Sequence, residues 1–357
     1  MATNWMDNFN IYGTDANRVA RMLNGVYAEA TVVDLLVDPD PTAGGGRVAF
    51  LGGNANSVLR KVLPTARTTI GVANRVWLSA IPAASNKGHV LVALRDVNNV
   101  QHGFLTVDAS GNLLYYRSDS GGDVLLGSTA TPVIIANAWK HIETKVVLDA
   151  AAGTVEVRVE GVTVLTVAAT RTTTNTAGAV ASCMSVALRN TDYLGPLQYH
   201  KDLIIWDNTT GFNNDFMGLC QVLEIIPNAD VSLNWAPSAG LTGFNLINEI
   251  TPDDDASYIS APTPAPAPYV CSLSDLPVSV TSVRSVMPIH RSRKTDSGTG
   301  NIQIGAISGA TTGLGTDRPI TTAYTYWWDI FDADPNIAAA WTRLSVNAMN
   351  LQINRTL

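Results

Sequence analysis

Glu156 and Glu160 stand four residues apart in VEVRVEG, 155–161. A sugar-cleaving carboxylate pair works as acid and base across roughly 5–9.5 Å. At ~3.3 Å per residue of extended chain, these two lie roughly 13 Å apart. Arg158 stands between them, so the spacing describes the charged face of a strand and not a catalytic pair. A second acidic group, PDDDASY at 252–258, sets three aspartates in a row. An EF-hand loop needs alternating oxygen donors, a glycine and a distal glutamate, a pattern that three adjacent aspartates before Ala-Ser lack. An acidic turn is expected, with a looser calcium site at a sandwich edge as the alternative and no other cofactor. Aromatic rings can carry sugars on their faces, and YTYWW at 324–328 is the densest such group. Alternation puts Tyr324, Tyr326 and Trp328 on one side and Trp327 on the other. Together with Trp341 near the C-terminus, they are expected in the core or at a subunit interface, with a ligand platform as the alternative.

The remaining reactive residues form no constellation. His89, His102, His141, His200 and His290 make no HxxxH or HxH pair, and His141 reads as a surface strand residue. Cys183, Cys220 and Cys271 are an odd count without CxxC spacing, and are expected as buried thiols. A Cys220–Cys271 pair stays open at this point. No GxSxG, phosphate-loop or dinucleotide-binding motif occurs, and GGG at 44–46 reads as a loop. A formal net charge of −7 argues against nucleic-acid binding, and the one basic cluster, HRSRK at 290–294, reads as solvated loop. The N-terminal stretch lacks the basic and apolar regions of a signal peptide, and no apolar run reaches the ~18 residues of a membrane span. The expectation is a chain made in a cytoplasm, with no membrane insertion.

These residues must be positioned by strands. Charged residues are 15% of the 357-residue chain and hydrophobic ones 46%, which suits a sizeable core with many short elements. WKHIETKVVLDAAAGTVEVRVEGVTVL, 139–165, alternates strictly: Val155, Val157 and Val159 on one side, Glu156, Arg158 and Glu160 on the other. DAAAG, in which Gly153 is free to take a positive φ, and EG are its turns. RVWLSAI (75–81), HVLVALRD (89–96), GFLTVDASGNLLYYR (103–117) and TPVIIANAW (131–139) are further apolar runs punctuated by turn residues. Seven or more such strands predict an antiparallel β-sandwich. A polar stretch around 208–218 marks a boundary, giving domains at 1–210 and 211–357. In the second domain the alternating Pro-Ala of 262–268 predicts an exposed extended connector. Asp334 and Pro335 predict a helix start, and Thr342 caps another turn, so short helices are expected to end a smaller β-rich domain.

DNFNIYG (7–13), TVEVRVEG and YHKDLIIWD (199–207) resemble a concanavalin A-like or laminin-G-like lectin sandwich, which implies a mainly β, jelly-roll first domain. The succession DLIIWDNTTGFNNDFMG, PNADVSLNWAPSAG (227–240), INEITPDDDASYIS (247–260), RKTDSG (293–298) and AAWTRLSVNAM (339–349) resembles virion proteins of tailed bacteriophages. There a lectin-like sandwich precedes a smaller C-terminal β domain, while the Pro-Ala stretch departs from the more polar segment of relatives. The resemblance implies a non-catalytic structural component of the phage particle, on tail, neck or capsid surface. Its partners would be copies of itself, trimers being favoured, other phage structural proteins, and host surface glycan. A lectin module acting in host adsorption is the alternative.

Overall fold

The computed structural model describes residues 2–13, 15–31, 33–37, 47–51, 57–83, 87, 89–190, 195–240, 242–261 and 267–357. The GGG loop and most of the Pro-Ala stretch lie outside these residues. The chain divides into two compact units, Ala2–Val222 and Leu223–Leu357. The polar stretch that suggested a break at 210 therefore belongs to the first unit.

The first unit is a two-layered antiparallel β structure. Its strands are β1 (Thr3–Asp7), β2 (Glu29–Thr31), β3 (Val33–Val37), β4 (Arg47–Leu51), β5 (Ser57–Arg67), β6 (Thr69–Leu78), β7 (His89–Arg95) and β8 (Gln101–Val107). They continue as β9 (Leu113–Asp119), β10 (Gly122–Ser128), β11 (Lys140–Val147), β12 (Gly153–Val159), β13 (Val162–Thr170), β14 (Cys183–Asn190) and β15 (Gln198–Trp206). One sheet has eight strands, in the order β13-β12-β11-β6-β15-β4-β3 with β1 also on β15. The other has seven, in the order β10-β9-β8-β7-β14-β5-β2. The protein is thus mainly β, as the alternation predicted.

Period-two burial produces the sandwich. Val155 and Val157 are fully buried while Glu156 and Arg158 are not. Each such buried valine contributes about 1.5–3 kcal/mol over an exposed one. Two side chains of the eight-stranded sheet reach carbonyls of the other: Asn74 Nδ2 donates to Leu91 O at 3.4 Å and Gln198 Nε2 to Val90 O at 3.3 Å. His200 lies between them, 3.3 Å from Asn74 Nδ2 and 2.7 Å from Gln198 Nε2. Burial pushes its pKa down to about 3, so it is neutral. A further buried group ties down the N-terminus. Asp7 accepts from Tyr12 at 2.8 Å, Tyr27 at 2.6 Å and the Phe9 amide at 2.7 Å. The Lys61 ammonium sits 3.6 Å from the Trp5 ring centroid and donates to Val26 O at 2.7 Å. Burial raises Asp7 to about 6 against these hydrogen bonds, and lowers Lys61 to about 7.

Two glycines are required by close approach. A Cβ on Gly71 would lie 2.0 Å from the ring of Trp206, its cross-strand partner. Gly153 was expected to turn at positive φ; it instead opens β12, where a Cβ would meet Thr172 Oγ1 at 2.1 Å. The positive angles fall on the next turn, at Glu160 (φ 51°) and Gly161 (φ 78°). The run 131–139 is a loop and not a strand: Asn137 takes φ 57°, and its amide bonds to Leu78 O. A short helix, α1 (Arg18–Leu23), was not foreseen.

The second unit contains β16 (Pro227–Ser232), β17 (Ala236–Pro237), β18 (Ile259–Ser260), β19 (Tyr269–Leu273), β20 (Ile289–Ser292) and β21 (Asn301–Ser308). β22 (Thr311–Leu314), β23 (Arg318–Pro319), β24 (Thr325–Trp328) and β25 (Asn350–Arg355) complete it. Its main sheet runs β16-β19-β25-β21-β22, with β23 on β21, beside the pairs β17-β18 and β20-β24. The expected helix at Asp334 is a closed turn. Asp334 Oδ1 does accept the Asn336 amide at 2.9 Å, but Ala338 turns left-handed (φ 50°) and Asp334 bridges to Ala339. The Thr342 cap is present: Thr342 and Ser345 form a reciprocal capping box on α2 (Arg343–Asn347).

Candidate functional site

The outward residues of the eight-stranded sheet form a row of rings. Tyr199 on β15 lies opposite Phe50 on β4 and opposite Trp77 on β6. Because β11 pairs with β6 through Lys140↔Val76 and His141↔Arg75, Trp139 comes alongside Trp77. Three aromatics on adjacent strands and Trp139, the residue before β11, thus stand side by side, a width of about 14 Å at the usual strand spacing. Phe50 and Tyr199 have centroids 5.1 Å apart, and Trp77 meets Tyr199 at 5.0 Å edge to face. Tyr199 is 8% exposed, while Phe50, Trp77 and Trp139 are half-buried. The Lys201 ammonium lies 4.6 Å from the centroid of Trp139. One row further along the strands comes a basic group, with Lys201 opposite Arg75 and Arg75 opposite His141. Arg75 faces Asp202 at 3.6 Å. Burial and the nearby Arg75 charge push His141 down to about 4. His141 is 3% exposed, so it is not the surface residue its alternation suggested.

The other half of this sheet face is covered by the chain's own segment 215–222. Glu143 is fully buried, and its Oε1 accepts the amides of Met217 at 2.8 Å and Gly218 at 3.0 Å. Met217 packs with Ala73, Ile204 and Trp206, joined by Phe216 and Cys220. The Arg158 guanidinium lies 3.7 Å from the Phe216 centroid, and Lys145 pairs with Asp215 at 2.8 Å. The charged side of the alternating hairpin is therefore partly a bed for this segment. Glu156 pairs with Arg158 at 2.9 Å, and Glu160 Oε1 accepts the His141 amide at 2.8 Å.

The aromatic group picked out from sequence is used differently. In the second unit, Tyr326 and Trp341 are each 2% exposed. Trp341 packs with Leu273, Leu276, Ala306, Val346 and Met349, and its Nε1 donates to Phe331 O at 2.8 Å. Neither residue offers surface to a neighbouring subunit. Trp327 packs against a cluster containing Trp235, Tyr269, Cys271 and Ile302. Tyr324, Trp327 and Trp328 are half-buried. The acidic turn and the basic cluster meet around these rings. Arg291 holds Asp254 through two bonds, at 2.5 and 3.0 Å, and lies 5.1 and 5.0 Å from the centroids of Tyr324 and Tyr326. Asp255 accepts from Arg293 at 2.6 Å and from Tyr324 at 2.9 Å. HRSRK is thus largely strand β20 and not solvated loop: Arg291 is 10% exposed in its side chain, and burial pushes His290 down to about 4. Two of the three aspartates considered for calcium are neutralised by arginines. Among the described residues no cluster of three or more His, Cys, Asp or Glu side chains has metal-binding geometry. All three cysteines are free, with Cys220 and Cys271 in different units.

No family model matches the chain, and no curated protein matches it. Solved structures are similar in fold. A structure named sialidase is 12% identical, at TM-score 0.38, over 58% of this chain and 19% of its own length. The binding domain of Paraclostridial Mosquitocidal Protein 1 is 13% identical, at TM-score 0.38, over 57% of this chain and 48% of its own. Domain 4 of AbnA, an extracellular arabinanase from Geobacillus stearothermophilus solved with arabinotriose, is 16% identical, at TM-score 0.36, over 58% of this chain and 92% of its own. The chain therefore spans about a fifth and about half of the first two.

Proposed function

We propose that the first unit is a glycan-binding, lectin-like module whose platform is the row Phe50–Tyr199–Trp77–Trp139. The observation that carries this is the register: aromatics on three adjacent strands, with Trp139 at the entrance to a fourth, fall side by side on one outer sheet face, and all but Tyr199 stay partly exposed. Sugar rings stack their C–H faces on such surfaces, and a row of this width suits several units of one chain. The reading is of a binder without turnover. Of the carboxylates described beside the row, Asp202 faces Arg75 and Glu160 accepts a backbone amide. The resemblance to tailed-phage virion proteins implies display in several copies, where avidity multiplies a weak single-site affinity. Host surface glycan is then the target.

A glycan array probed with the purified chain, with and without calcium, tests this. Binding should survive chelation of calcium, and Trp77→Ala should weaken it at least tenfold. Silence across the array, or a hit that Trp77→Ala and Tyr199→Ala both leave unchanged, would sink the proposal.

A further inference from the structure

The outer face of the seven-stranded sheet carries a group that the aromatic row does not use. Directly paired residues cross it from Glu29 on β2 through Arg60 on β5, Ala187 on β14, Ala93 on β7 and Phe104 on β8 to Tyr116 on β9. Arg189 lies two residues from Ala187 on its strand, and Arg95 two residues from Ala93, so alternation brings both to this face. Arg60, Arg95 and Arg189 thus surround the two alanines, each one cross-strand, diagonal or same-strand step away, about 5–8 Å between Cβ atoms. Ala93, Ala187 and Phe104 are themselves buried in a cluster with Val58 and Val90, so the half-buried Tyr116 is the aromatic surface at the far side. Phe104 and Tyr116 are stacked with centroids 5.3 Å apart, and the Lys87 ammonium lies 4.8 Å from the Tyr116 centroid.

Among the described residues the charges do not balance. Arg60 is answered by Glu29 at 3.2 Å and Lys87 by Asp123 at 3.0 Å. Among the described residues the side-chain hydrogen-bond partner of Arg95 is the neutral Asn99 amide oxygen, at 3.1 Å. Arg189 donates no side-chain hydrogen bond and enters no ion pair among the described residues, and the Nε atoms of both Arg95 and Arg189 are buried without an acceptor. Among the described residues, four cations stand against two carboxylates, Glu29 and Asp123, and Asp123 is also the charge that favours the Arg189 guanidinium, which leaves a positive patch on a chain of net charge −7. Burial lowers the pKa of Arg95, and the Arg189 and Arg60 charges add to the effect while Glu29 opposes it. Repulsion of this kind is relieved by a bound anion.

We infer that this face binds the carboxylate of an acidic sugar, held by Arg95 and Arg189, with the sugar chain laid toward Tyr116. Guanidinium forks match a planar carboxylate and form charge-assisted bonds with it. Tyr116 lies two strands beyond Ala93, about 10 Å away, within reach of the next sugar ring. The patch is compact and the chain acidic, which disfavours the extended phosphate tracking of nucleic acids. This site is on a different sheet from the aromatic row, so either can fail alone.

Calorimetry on the full chain with a short hexuronate oligomer and with the same oligomer methyl-esterified decides the matter. The free acid should bind at least tenfold more tightly than the ester and weaken as salt rises. Arg189→Gln and Arg95→Gln should each erase the difference, Arg189→Lys should keep part of it, and Glu29→Gln should tighten binding. Trp77→Ala should leave the acid–ester difference unchanged whatever it does to the affinity the two oligomers share, which separates this site from the aromatic platform. Equal affinity for acid and ester overturns the inference even if the arginine variants fail to fold. So does full hexuronate affinity in an Arg189→Gln protein that melts like wild type, or displacement of the oligomer by single-stranded DNA at equal charge.

Discussion

Two aromatic groups invite comparison. One, YTYWW, is contiguous in sequence; the other, Phe50, Trp77, Trp139 and Tyr199, is spread over much of the first unit. The contiguous group is consumed by its own unit: Tyr326 is buried, Trp327 lines an apolar cluster, and Tyr324 is caught between arginines and Asp255. The scattered group is brought together by register and keeps ring surface outward. Adjacent residues on one strand alternate between faces, so density along the chain works against a platform. Residues opposite one another on neighbouring strands share a face, and only pairing reveals them.

The largest expected effect tests the claim that the second unit's aromatics are structural. Trp341→Ala should cost about 3–5 kcal/mol, because it empties a packed site and leaves Phe331 O without its donor. Thermal melts should show this loss, while glycan affinity stays at the wild-type value. Loss of binding with intact stability would reverse the comparison.

Acid comes next, and bears on the interior beneath the platform. His200 is held near pKa 3 in the folded chain and would titrate at the ordinary imidazole value of 6.5 once unfolded. The unfolded state therefore binds more protons below pH 6.5, and stability falls as pH drops, by about 3 kcal/mol at pH 4. Asp7 works the other way: raised to about 6 from 3.8, it takes up its proton earlier in the folded state and offsets part of the loss between pH 6 and 4. In denaturant titrations at each pH, Asp7→Asn should steepen the acid loss and His200→Gln should flatten it. The opposite pair of slopes would refute the assignment.

How much of this could be read beforehand follows the same division. Alternation of Val155, Val157 and Val159 with charged neighbours specifies half-buried strands wherever it occurs, and it gave the β-sandwich. The capping box at Thr342 is likewise a local signal, and it held. Asp334-Pro335 is also a helix-start signal, but the left-handed Ala338 and the bridge back to Ala339 close it into a turn. Strand pairing is not local. Tyr199 and Trp77 are separated by more than a hundred residues, and nothing near either one announces the other. The outward parity of Trp77 with Arg75, and of Tyr199 with Lys201, was the available clue: bulky rings sharing a strand face with charges. The meeting of PDDD with HRSRK was hidden for the same reason, though their opposite charges hinted at it.

Arg291→Ala probes that meeting, with an expected loss of about 1–2 kcal/mol. The guanidinium is buried against two tyrosines, but its partner Asp254 is 40% exposed and regains water when left alone, which limits the cost. Added salt should reduce the stability difference only slightly, since most of it is packing. A loss that vanishes in high salt would mean that the ion pair and not the stacking holds the turn.

The smallest stability change belongs to the platform, and it is the most telling. Trp77 is half-buried and meets Tyr199 edge to face, so Trp77→Ala should lower stability by about 1 kcal/mol, the scale of one aromatic pair. Its effect on glycan affinity should be at least as large, tenfold being about 1.4 kcal/mol. Trp327→Ala should show the reverse ratio, a larger stability loss from the apolar cluster and no change in affinity. Both tryptophans are half-buried and lie in strands, Trp77 between Val76 and Leu78 and Trp327 between Tyr326 and Trp328. A ratio of affinity loss to stability loss that is equal for both would mean that neither group is a platform, and that the register argument has mistaken a strengthened sheet for a binding surface.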